Sequence, residues 1–306
     1  MARLAILTLL VKSSEAVTLA EQARSANLRG PAESSSGIHF VTHRSCSQDP
    51  EDGCNHWFKE DMKKASLLAE KAGIPKENTH AYLGFPQAIM DNPVWQKFVA
   101  PHTKGRGFWF WKPVLLNLLL NDEKAGIKDG DFVIYLDGDI VSWTLQPYLA
   151  YAQDQKHDLI VARQRYCEYE WTKGDVFQLF GVQPTDPHYA RSQQYLANQV
   201  AFRVNAKTRR FFKLWEELNK DYELISDTPS KVNCSKYFKE GRHDQSFYSM
   251  LIKASFADNG WCWDPDKNKS DPNFILPTST NKLQPWKPHD KYGIEGLSVV
   301  FTNKEH

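Results

Sequence analysis

The sequence predicts an α/β fold in which a mainly parallel sheet carries helices on both faces, as one compact unit of two halves. Three observations lead there. Strand-length apolar runs alternate with helix-length segments through the first 137 residues. Gly and Pro punctuate the helical segments where helices end and begin. The strongest strand, Asp131–Leu136 (DFVIYL), is almost continuously apolar, as a strand covered on both faces is.

Leu4–Val11 reads as a buried strand, and residues 14–28 as a helix capped by Ser13 or Ser14. Gly30-Pro31 and Ser34–Gly37 mark a loop before a second strand, Ile38–Thr42. Residues 58–72 form a helix closed by Gly73, and Ala81–Gly84 a short strand. Pro113–Ala125 is a helix with Pro in its first turn and Gly126 as its cap, followed by the strand that ends at Asp137. Later come a strand at Leu159–Ala162, an amphipathic helix at 206–220 and a helix at Asp244–Ser255. The last fifty residues read as loop. The halves are residues 1–145, built to bind a nucleotide, and 146–306, which complete the site.

Composition narrows the function classes. With 38 Lys+Arg against 37 Asp+Glu, bulk positive charge cannot carry nucleic-acid binding. No apolar run reaches the length of a membrane span. Aromatics reach 13%, including 10 Trp and 12 Tyr, the residues that stack on half-apolar ligands such as sugar rings. The five Cys (46, 54, 167, 234 and 262) form no C-x-x-C pair. Cys46 and Cys54 lie near enough to meet, but the spacing suggests neither a zinc site nor a disulfide framework, and points to a reducing, cytoplasmic setting. The alternative is the lumen of the secretory pathway, with residues 1–15 as a signal and sequons at Asn233 and Asn268.

The richest stretch is Val133-Ile-Tyr-Leu-Asp-Gly-Asp-Ile140. An apolar strand delivers Asp137 and Asp139 at its carboxyl end, where open α/β sheets bind ligands. Two adjacent carboxylates repel, and Mn²⁺ or Mg²⁺ relieves that repulsion and can bridge to a diphosphate. Gly138 between them lets an anion approach the backbone. The same residues also suit a turn, or the nucleophile motif of a haloacid-dehalogenase-type phosphohydrolase with Asp137 attacking phosphorus. A non-catalytic carbohydrate-binding protein would account for the tryptophans but not for the carboxylates.

This strand with its Asp-x-Asp end resembles nucleotide-sugar-dependent glycosyltransferases of the GT-A fold. Gly105-Arg-Gly-Phe-Trp-Phe-Trp-Lys-Pro113, a Leu-rich helix and the Asp-ended strand are similar to the G-Y-G-Y-W-x-W-K-P…Y-L-D block of a glycosyltransferase family from bacteria, algae and large viruses. Trp171–Phe177, Gln199–Phe202, Asp227–Ser230 and Arg242–Ser246 follow in that family's order, so the likeness covers roughly residues 100–253. Many members read Asp-Ala-Gly where this chain has Asp-Gly-Asp, which makes metal dependence more expected here. The resemblance implies a GT-A-like mixed, mainly parallel sheet, a nucleotide-diphosphate sugar donor and a glycan or glycoconjugate acceptor. Peripheral contact with a membrane is compatible with it.

Site residues follow from both lines. Lys112, at a helix start, would meet the donor diphosphate. Asp137 and Asp139 would hold the metal, with His289 as third ligand, and Lys287 would reach the diphosphate. Lys173, Gln199, His243 and Gln245 would contact the donor or acceptor on the strength of the resemblance. Asp244 either caps its helix or, in an inverting enzyme, takes the acceptor proton as base. Trp109 and Trp111 form one aromatic cluster, and Trp261, Trp263 and Trp286 another. At least one is expected to line the sugar site.

Overall fold

Strand β1 (Ile38–Arg44) and strand β3 (Phe132–Asp137) lie side by side in parallel, and between them in sequence come helix α1 (His56–Lys71), strand β2 (Thr79–Leu83), helix α2 (Pro93–Val99) and helix α3 (Trp111–Asn121). Helix α4 (Val141–Ala152), strand β4 (Leu159–Cys167), helix α5 (Gly174–Leu179), strand β5 (Gln193–Arg203), helix α6 (Ala206–Asn219), helix α7 (Asp244–Ser255) and strand β6 (Val299–Thr302) follow. This computed structural model describes residues 37–45, 56–99, 104–138, 141–186, 188–256, 262 and 289–302. The expected strand at Leu4–Val11 and helix at 14–28 lie outside them, as do Asp139, Trp261, Trp263, Trp286 and Lys287.

The described strands form one six-stranded sheet in the order β2-β1-β3-β5-β4-β6. Strand β5 alone runs against its neighbours, between β3 and β4, and the remaining pairs are parallel. The fold is therefore a mixed, mainly parallel α/β sheet, as expected. Strand β5 itself escaped the reading of periodicity, because Gln193, Gln194, Asn198 and Gln199 interrupt its apolar residues.

Strand β3 shows why the sheet needs cover on both sides. Val133 and Tyr135 face one apolar layer, built with Leu115 and Leu119 of α3, Phe211 and Trp215 of α6, and Phe247 and Leu251 of α7. Phe132, Ile134 and Leu136 face the other, with Ala65 and Ala69 of α1 and Leu145 and Tyr148 of α4. The alternation is the period of two that a strand imposes, applied to residues that are all apolar.

Helix boundaries follow local chemistry. The Asn205 side chain accepts from the Lys207 and Thr208 amides, while the Thr208 hydroxyl accepts from the Asn205 amide, so α6 starts at a reciprocal cap. Helix α3 starts two residues before the expected Pro113 and stops at Asn121. A short 3₁₀ turn then ends at Gly126, whose φ of 69° suits glycine.

One expectation is overturned. Cys167, at the end of β4, is disulfide-bonded to Cys262 with Cα atoms 5.3 Å apart. Spacing gave no hint, because 95 residues separate the two and only the fold brings them together. Among the described residues no helix is long and apolar enough to cross a membrane.

Candidate active site

The segment preceding α3 is one left-handed helical turn. Gly105, Arg106, Gly107, Phe108 and Trp109 all have positive φ, between 51° and 93°. The Phe108 amide donates to the Lys104 carbonyl at 2.9 Å and the Trp109 amide to the Gly105 carbonyl at 3.1 Å, closing the turn. Left-handed backbone costs non-glycine residues roughly 1–2 kcal/mol each, and such strain persists only where the surroundings impose it. The two glycines are needed sterically as well. A Cβ on Gly105 would fall 2.3 Å from the Trp109 indole, and one on Gly107 would fall 2.7 Å from the Phe98 carbonyl oxygen. Phe108, Phe110 and Trp111 are buried and anchor the turn: Phe110 against Trp95 and Phe98, Phe108 against Tyr222, and Trp111 against His43 and Phe85.

The turn delivers Lys112 to the sheet. Its side chain is 5% exposed, and the ammonium lies 3.1 Å from Asp137 Oδ2 and 3.9 Å from Asp244 Oδ2. Asp137 comes from the carboxyl end of β3 and Asp244 from the first turn of α7. The Tyr135 hydroxyl, two residues back on the same strand face, donates to Asp137 Oδ1 at 2.5 Å. Asp244 is buried, and its Oδ2 has no hydrogen-bond donor among the described residues. Burial first, and then the nearby Asp137 charge, push its carboxyl up to about 8 against the attraction of Lys112. At neutral pH Asp244 is therefore largely protonated.

Two histidines flank this triad. His43 pairs in register with Asp137 across β1 and β3, and its ring lies 4.0 Å from that of Trp111. Its Nε2 is 3.0 Å from the Gly84 carbonyl, and burial lowers it to about 3, so it is a neutral donor. The sequence reading missed both His43 and Tyr135. Register and alternation point to them once β1 is placed beside β3. His243 holds a left-handed φ of 53°; its Nδ1 lies 2.7 Å from the Ile225 carbonyl and burial lowers its pKa. Trp109, half-buried, stacks on it at 5.4 Å, and the buried Trp111 ring lies 5.7 Å from the Lys112 ammonium.

The remaining candidates are held elsewhere. Gly138 is buried, and a Cβ there would lie 2.4 Å from Met62 Cε and 2.8 Å from Arg44 Cγ. Lys173 donates to the Glu223 carbonyl at 2.6 Å and ties down the loop at 223–228. Gln199 accepts from the Tyr148 hydroxyl at 2.9 Å, on the sheet face away from Tyr135. Gln245 accepts from the Ala197 amide and donates to Gln194.

Gln245, Ser249 and Lys253 lie four residues apart, a single stripe of α7. Ser249 and Lys253 both donate to Glu168, which also accepts from Thr172 and Gln194. This saturated network fixes α7, and with it Asp244, against β5. His289 lies at the other end of α7: its amide donates to Ala254, ten residues beyond Asp244 and so about 15 Å along the helix.

A metal shell needs several converging oxygen or nitrogen donors. Among the described residues no group of three or more His, Cys, Asp or Glu side chains is arranged to hold one. Asp137 has both oxygens engaged by Tyr135 and Lys112. Asp139, the second carboxylate of the expected pair, lies outside the described residues, and among those described the cation beside Asp137 is the Lys112 ammonium.

No family model matches the chain, and no curated protein matches it. Among solved structures it is similar to mouse xyloside xylosyltransferase 1 in its apo form. The identity is 12%, over 70% of this chain and 81% of that one, with a TM-score of 0.33. That likeness is too slight to assign an activity.

Proposed function

We propose that this chain is a glycosyltransferase that moves a sugar from a nucleotide-diphosphate donor to a hydroxyl of a glycan or glycoconjugate. The observation that carries the reading is the convergence of Lys112, Asp137 and Asp244 at the carboxyl edge of the sheet, beneath a strained turn. Lys112 supplies fixed positive charge where a diphosphate leaving group develops negative charge. Asp244, once deprotonated, accepts the proton of the acceptor hydroxyl as that oxygen bonds to the anomeric carbon and the bond from carbon to diphosphate oxygen breaks. Asp137 and Tyr135 hold the Lys112 ammonium in place. A pKa of about 8 suits a base that works near neutral pH.

Mn²⁺ or Mg²⁺, if used, would neutralise diphosphate charge, and Asp139 would have to contribute oxygens that the described residues do not. No step above depends on it. For the compartment, the Cys167–Cys262 disulfide favours an oxidising setting over the cytoplasmic one.

The test incubates the full chain with a panel of nucleotide sugars, with Mn²⁺ or with EDTA, and measures release of nucleoside diphosphate. Wild type is expected to turn over at least one donor. Lys112→Gln should weaken donor affinity about 10- to 100-fold, the size of one lost charge-assisted contact. Asp139→Asn should alter only the Mn²⁺-dependent part. Hydrolysis of phosphate esters without release from any nucleotide sugar would refute the transferase and favour the phosphohydrolase.

A further inference from the structure

Beside Asp244 the structure presents a second constellation, of aromatic rings and an arginine. Tyr166, near the end of β4, is 44% exposed. Its ring centroid lies 5.0 Å from that of Trp171. The Arg242 guanidinium stacks 4.1 Å above the Trp171 ring and 6.0 Å from the Tyr166 ring. The Arg242 backbone is fixed: its amide donates to the Trp171 carbonyl at 3.0 Å, and Ser246 of α7 bonds the same carbonyl.

The patch borders the catalytic triad. Arg242 is two residues from Asp244. Val161 of β4 aligns through Val200 of β5 with Tyr135 of β3. Tyr166 lies five residues beyond Val161 on the same strand, where the register of β4 against β5 is broken by bulges. The patch is therefore carried by the segment that leads directly into Asp244.

Its chemistry is selective. An exposed phenol ring suits the apolar face of a sugar. A guanidinium held over an indole loses little freedom on binding and offers paired N–H groups to the oxygens of a carboxylate or sulfate. The carboxylate facing Arg242 is Glu240, 3.8 Å away and 48% exposed, a surface pair worth little and easily exchanged. Lys239, 5.0 Å from the Trp171 ring, is instead held by the buried Glu170 at 3.0 Å. The ligand's anion therefore falls to Arg242.

We propose that Tyr166, Trp171 and Arg242 form an acceptor subsite for an anionic sugar, its ring face on Tyr166 and its carboxylate or sulfate on Arg242. The word acceptor rests on the glycosyltransferase reading, whereas the binding of the sugar does not.

The test titrates the full chain, without donor, with three methyl disaccharides ending in glucose, glucuronate or 6-O-sulfoglucose, followed by calorimetry. At least one charged disaccharide should bind about tenfold more tightly than the neutral one, the gain expected of a charge-assisted pair. Arg242→Gln should erase that preference, Arg242→Lys should restore only part of it, and Tyr166→Ala should weaken all three ligands. Which charged sugar is preferred separates a carboxylate from a sulfate. Equal binding of neutral and charged sugars, or a preference that survives Arg242→Gln, overturns the proposal. So does an Arg242→Gln variant that loses nucleotide-sugar affinity but keeps the disaccharide. Anionic binding through Arg242 in a chain that turns over no donor would uphold the subsite and refute the transferase.

Discussion

Replacing Asp244 by asparagine is expected to stabilise the folded chain at neutral pH while silencing it as an enzyme. In the folded chain Asp244 titrates at about 8, because burial and then Asp137 disfavour its charge. In the unfolded chain it titrates near the ordinary value of about 3.9. A raised carboxylate takes up a proton on folding, so its contribution turns against folding as pH rises from about 4 to about 8 and is constant beyond. At pH 7 the gap is about three pH units, or roughly 4 kcal/mol at about 1.4 kcal/mol per unit. Asparagine has nearly the shape of the protonated acid and nothing to ionise. Urea unfolding of both proteins between pH 5 and 8 should show asparagine gaining on aspartate as pH rises, by up to about 4 kcal/mol. The same substitution should lower sugar transfer about 10²- to 10⁴-fold, the usual worth of a general base. A stability difference independent of pH, or a less stable asparagine variant at pH 7, would mean that Asp244 is ionised beside Lys112 and would refute the reasoning.

In wild type, kcat should rise with pH through a midpoint near 8 as Asp244 loses its proton, and a profile already flat above pH 5 would assign the base elsewhere. Gly105→Ala sets a Cβ 2.3 Å from the Trp109 indole at a φ of 56°. It should lower stability by about 1–3 kcal/mol in thermal melts and weaken donor binding as Lys112 shifts. Lys253→Met strands buried Glu168 and should cost about 3–5 kcal/mol, and adding Glu168→Gln should recover at least half of that loss. Chemical denaturation of the single and double variants reads this out, and a double variant no better than the single would refute the ion-pair assignment.

Much of the architecture was legible because local physics is decisive there. Strand β3 is legible as a continuous apolar run, and α7 has the expected bounds of Asp244 and Ser255. Strand β5 was not legible, since Gln194 and Gln199 within it are satisfied by tertiary partners, Gln194 by Glu168 and Gln245, and Gln199 by Tyr148. The site divides the same way. The stretch Gly105–Lys112 and Asp137 stood out by type and order. The uses of Lys173, Gln199 and Gln245 depended on neighbours 48 to 55 residues away, which no spacing rule reveals.

By itself the sequence determined the α/β class and the delivery of a carboxylate at a strand end, because backbone period and glycine placement act within a few residues. Only the tertiary structure decided that Lys112 faces Asp137 and that burial raises the Asp244 carboxyl. Both depend on which charges the fold brings within about 4 Å of one another, away from water, where desolvation and Coulomb attraction become comparable.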